Sequence, residues 1–197
     1  MRKFLNLPKI KNKTLAKQYS YLLKYTDDRS SEECQWLAIS VFDHWLYKTN
    51  SFSIVENATD KQKLTWTNQI YQFLLDIVEL ERPIYFKYAG KHTKSSIQFR
   101  DYVGETPIGQ FLCKQYDDIY EPNVIFESIA LHLMFEDNWT IILDYQDLEK
   151  LEPVLNLMNQ HNLYALPVER VENLNMYSEV EAMLTKMNLD NLKCRSL

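Results

Sequence analysis

Apolar residues recur at helical spacing over roughly the first 80 positions, then at alternate positions after Pro83. Leu15, Tyr19, Leu22, Leu23 and Thr26 fall at i, i+4, i+7, i+8 and i+11, one face of a helix that Thr14 would cap and Asp27-Asp28-Arg29 would end. Ser30 followed by Glu33 has the form of a capping box, in which each side chain satisfies the other residue's backbone N–H. From Cys34 to Tyr47 the chain is apolar almost all round (Trp36, Leu37, Ala38, Ile39, Val41, Phe42, Trp45, Leu46). This predicts a second helix, covered on several sides. A second box, Thr59 with Gln62, opens a third helix, whose stripe is Trp66, Ile70, Phe73, Leu74 and Ile77 and which ends before Pro83.

Period-two alternation then takes over. Residues 84–88 and 97–103 read as strands rich in aromatic and β-branched residues, and all three glycines (Gly90, Gly104, Gly109) fall beside them. Residues 128–135 and 139–144 form the most apolar strand pair, joined by the turn Glu136-Asp137-Asn138. Pro153 fits the first turn of a helix capped by Glu152 and running to Asn162, a left-handed C-cap. A strand follows over 163–168, and Ser178 with Glu181 caps a last helix over 179–187.

The order predicts an α+β fold: an N-terminal helical half of about three helices against a C-terminal, mainly antiparallel sheet with one or two further helices. The expected organisation is one domain over 1–197, with a flexible basic arm (1–13), a helical part (14–82) and a sheet-containing part (83–197). No apolar run reaches the roughly 18 residues of a membrane span, and no signal-peptide core follows the N-terminus. Three widely spaced cysteines (Cys34, Cys113, Cys194) support neither a disulfide framework nor a zinc site, so a reducing, cytoplasmic setting is expected. Abundant Lys, Asn, Ile, Tyr and Phe beside only three Gly suggest an AT-rich, bacterial or phage coding sequence.

Charge changes the picture most. Residues 1–26 hold seven Lys or Arg and no acid; with −5 for the whole chain, residues 27–197 carry −12. Nine acids and no Lys or Arg lie between Gln115 and Glu149, interleaved with aromatics. Such a run suits a basic protein partner, since a negative field speeds encounter and aromatic anchors add short-range energy. The expected contact surface is Asp117, Asp118, Tyr120, Glu121, Glu136, Asp137, Trp139, Asp144 and Asp147. An alternative anion-binding surface lies between Arg82 and Arg100, using Lys87, Lys91, His92, Lys94 and Arg100. There, Gly90-Lys91-His92-Thr93 resembles the end of a P-loop, but Tyr85 stands where its first glycine belongs.

Catalytic and metal motifs are not found. Asp117, Asp118 and Glu121 lack the Asp-x-Asp-x-Asp-Gly pattern of a calcium loop, and no local signature marks a Cys113/His132 nucleophilic pair. His132, between Leu131 and Leu133, reads as a hydrogen-bonded core or sheet residue. The expectation is a cytoplasmic, non-enzymatic interaction protein, a monomer or weak dimer without cofactor, metal, membrane or nucleic-acid partner. Its most concrete form is a bacterial immunity or inhibitor protein that occludes a basic toxin domain, such as a nuclease. The rival is an enzyme or ligand-binding domain for an anionic small molecule or nucleic acid, using residues 82–100.

Overall fold

A computed structural model describes residues 4–24, 29–30, 32–89, 96–103, 123–136, 139–168 and 174–195. Its centre is one sheet of eight strands. In chain order these are β1 (Phe4–Asn6), β2 (Gln35–Ser40), β3 (Ile84–Ala89), β4 (Ser96–Tyr102), β5 (Val124–Phe126), β6 (Leu131–Glu136), β7 (Thr140–Tyr145) and β8 (Tyr164–Leu166). Across the sheet the order is β1-β4-β3-β5-β6-β7-β2-β8, and every neighbouring pair is antiparallel. The longer helices are α1 (Lys9–Gln18), α3 (Asp60–Leu80), α4 (Glu152–Gln160) and α5 (Leu174–Lys186), with a one-turn α2 (Ser53–Glu56).

The content is α+β, but the division into an N-terminal helical half and a C-terminal sheet is wrong. Strands run through the chain from Phe4 to Leu166. The decisive segment is 34–47, expected as the central helix. Its first part is β2, an interior strand between β7 and β8. Leu37 and Ile39 face one layer while Trp36 and Ala38 face the other, and all four are buried. A strand covered on both faces loses its alternation and reads as a continuous apolar run, the pattern a fully buried helix also gives. Ser30 and Glu33 do make part of the expected contact: the Ser30 N–H donates to the Glu33 carboxylate at 3.0 Å, closing a turn that enters a strand instead of a helix. A hydrogen bond from Lys24 Nζ, backed by that N–H, holds the Glu33 carboxyl below its ordinary value.

Each sheet face is covered. Leu37, Ile39, Leu131, Leu133, Ile141, Leu143 and Tyr145 meet the α3 stripe Ile70, Phe73, Leu74 and Ile77, together with Val154, Leu155 and Met158 of α4 and Val180 and Leu184 of α5. On the opposite face Ile84, Phe86, Ile97, Phe99 and Ile125 lie under Leu15 of α1 and under Tyr21 and Leu22 of the 3₁₀ turn Ser20–Leu23. Thus α1 begins at Lys9, not Thr14, and part of the expected basic arm is the edge strand β1.

Helix ends follow their local chemistry. Thr59 and Gln62 form the full capping box of α3, with the Thr59 N–H donating to Gln62 Oε1 at 2.9 Å and the Gln62 N–H to Thr59 Oγ1 at 3.3 Å. Asn162 closes α4 at φ 52°, and the Leu163 N–H reaches back to the Met158 carbonyl at 2.9 Å. By contrast α5 starts at Leu174, upstream of Ser178, so Ser178 and Glu181 are not its cap.

Candidate functional site

Two polar arrangements stand out. The first is inside the protein. Counting back along the β6–β7 hairpin from Glu136↔Thr140 brings His132 opposite Asp144. His132 Nδ1–H donates to Asp144 Oδ2 at 3.0 Å, and Arg29, from the loop before β2, donates a guanidinium N–H to the same oxygen. The Arg29 guanidinium lies 5.6 Å from the Tyr21 ring centroid, and the His132 ring 5.7 Å from that of Phe86. All three charged or titratable side chains are buried. Burial, with Asp144 as the next cause, pushes the Tyr21 hydroxyl far above its usual value. Closed to solvent, the cluster ties the N-terminal layer to the sheet.

The second arrangement is open. A cleft of about 460 Å³ lies between the β5–β6 turn and the start of α4, lined by Ser128, Ile129, Glu149, Lys150, Glu152, Pro153 and Asn156. Its two walls are fixed separately. Glu81, just past α3, accepts the Ser128 N–H at 2.9 and 3.0 Å and the Ser128 hydroxyl at 2.6 Å, pinning the turn. Asp147 accepts the Glu149 N–H at 3.1 Å, and Leu151 of the 3₁₀ turn Glu149–Leu151 is buried beneath the other wall. Lys150 lies 3.7 Å from Asp147, and Glu127 beside the cleft pairs with Lys11 at 2.8 Å. Glu149 and Glu152 form no ion pair with any described residue. They stand three residues apart, Glu149 in the 3₁₀ turn and Glu152 in the first turn of α4. The result is two exposed glutamates beside the apolar surface of Pro153, with Ile129, itself only 8% exposed, in the lining.

The residues singled out in the sequence distribute unevenly. Asp117, Asp118, Tyr120, Glu121 and Asp137 of the acidic surface, and Lys91, His92 and Lys94 of the basic one, lie outside the described residues. So does Cys113. Glu136 is the last residue of β6. Asp147 sits next to the cleft, as described. Asp144 and Trp139, however, are buried and are not solvent-facing contacts. Trp139 donates its indole N–H to Thr67 Oγ1 at 2.9 Å, and its ring meets Trp66 edge-on at 5.0 Å. Lys87 is exposed on β3, and Arg100, opposite Tyr85 on β4, places its guanidinium 4.6 Å from the Phe4 ring centroid.

Glu152, Pro153 and Asn156 entered the sequence reading only as helix residues, and Ser128 and Ile129 only as strand. No motif announces a cleft made by two separate turns. Among the described residues, no three His, Cys, Asp or Glu side chains gather as a metal ion would require. No described helix is long and apolar enough to cross a membrane. No protein-family model, curated protein or solved structure matches the chain.

Proposed function

We propose that this is a non-enzymatic interaction protein that docks a basic protein partner at the Glu149–Glu152 cleft. The reading is supported above all by two glutamates without a described cation partner, set against apolar surface in a cleft large enough for a long side chain. An arginine or lysine of the partner would place its aliphatic stem along Pro153 and its charge at the carboxylates. Carboxylate–guanidinium hydrogen bonds are charge-assisted and stronger than neutral ones, which gives such a contact both energy and direction. The −12 carried by residues 27–197 adds long-range steering towards a positive surface.

In its most concrete form the protein is an immunity or inhibitor protein of bacterial type, acting in the cytoplasm by covering the active surface of a basic toxin domain such as a nuclease. Co-expression with the product of the adjacent gene tests this form. Expected is a complex that survives purification at low salt, dissociates as salt rises, and weakens at least tenfold when Glu149→Gln and Glu152→Gln are combined. Absence of a complex, or an affinity indifferent to both salt and the double substitution, would refute it.

A further inference from the structure

Apart from the Lys11–Glu127 pair, the basic N-terminal segment takes no part in the acidic cleft, and its placement supports a separate surface. Leu15 is buried, Ala16 is half-buried, and Asn12 Nδ2–H donates to the Phe99 carbonyl at 2.9 Å, so these three mark the inner face of α1. At 100° per residue, Lys13, Lys17 and Ile10 fall together on the outward side, and the exposed Lys9 lies on the flank, close to Ala16. Successive lysines at i, i+4 and i+8 stand about 6 Å apart along the helix. Lys11 is neutralised by Glu127, but Lys9, Lys13 and Lys17 are exposed and form no ion pair with any described residue.

These lysines do not help their own helix. Like charges four residues apart are unfavourable, and the first turn of α1 holds Lys9 and Lys11 where the dipole favours acids. Ile10, in the same outward stripe, is 84% exposed, and Leu5 of the adjoining edge strand is 50% exposed. A lysine stripe around a fully presented aliphatic side chain matches an anionic surface with an apolar interior beneath it.

We infer that α1 is a peripheral docking surface for anionic lipid headgroups, with Lys9, Lys13 and Lys17 at the phosphates and Ile10 entering the headgroup boundary. Nucleic acid fits less well: α1 has no arginine, and the nearby Tyr19 and Tyr21 are buried in the core and present no stacking face. The lipid surface stands independently of the acidic cleft. It is a surface attachment and differs from a membrane-spanning helix, which no described helix is long and apolar enough to make.

The test is co-sedimentation of the full chain with phosphatidylcholine vesicles, with and without phosphatidylserine. The protein is expected to sediment with the phosphatidylserine vesicles alone and to be released by salt. Lys13→Gln with Lys17→Gln should lower the partition roughly 30-fold, from about 1 kcal/mol per lysine near an anionic surface. Ile10→Ser should lower it several-fold and leave the salt dependence intact. Thermal melts of both variants should match the parent, because all three side chains are exposed. Equal binding to both vesicle types, no binding, unchanged partition of either variant, or tighter binding to duplex DNA or RNA than to the anionic vesicles would each overturn the inference.

Discussion

Replacing Asp144 with alanine is expected to remove about 3–5 kcal/mol of folding stability, measured by urea denaturation. Two groups converge on one oxygen of this carboxylate, and the alanine variant leaves the Arg29 guanidinium buried without its counter-charge. The loss is large because an isolated buried charge has neither water nor a partner, and typical domains are stable by only about 5–15 kcal/mol. A second construction separates the ion pair's net contribution from the penalty of breaking it. Replacing Arg29, His132 and Asp144 together with apolar residues of similar volume should recover most of the loss, since all three desolvation costs disappear. A cost below about 1 kcal/mol for Asp144→Ala would mean that the cluster is hydrated in solution, as exposed ion pairs are.

Trp139→Ala is expected to cost a similar amount, about 3–5 kcal/mol, through lost burial, the lost edge contact with Trp66 and the Thr67 hydroxyl left without its indole donor. Its backbone makes the prediction sharper. Trp139 has φ 55°, a region that bulky residues rarely occupy and glycine enters freely. Trp139→Gly should therefore be more stable than Trp139→Ala by about 1 kcal/mol, although it removes more side chain. Denaturation midpoints of the two variants check the order. Alanine more stable than glycine would show that the positive φ is not held in solution.

Both residues also show what the sequence can and cannot disclose. The β3–β4 and β6–β7 pairs were legible because short alternating runs sit between turn residues. The long helix α3 was legible through its capping box and its Ile70, Phe73, Leu74, Ile77 stripe. The interior strand β2 was not, because two-sided burial erases the period that distinguishes a strand from a buried helix. β5 is three residues long and β1 equally short, so neither carries enough alternation to be recognised.

At the level of sites, counting charges along the chain treated Asp144 as surface. Alternation within β7 puts Ile141, Leu143 and Tyr145 on the helix-covered side and Asp144 on the other, which the N-terminal layer also covers. The pairing of His132 with Asp144 was implicit in the hairpin turn, since a register fixed at Glu136↔Thr140 sets every position behind it. Arg29 was out of reach, because its approach depends on a layer the sequence had assigned to a different helix. The cleft was hidden for the same kind of reason: Ser128–Ile129 and Glu149–Asn156 are distant in sequence and meet only through the folding of the sheet and α4.

The most direct measurement of the docking claim is an NMR titration of the full chain with an arginine-rich peptide, followed through backbone amides. Shifts are predicted at Ser128, Ile129, Lys150 and Asn156. They should shrink as salt rises, and vanish when Glu149→Gln and Glu152→Gln are combined. Shifts centred elsewhere on the protein, or cleft shifts that persist in the double variant, would contradict the claim.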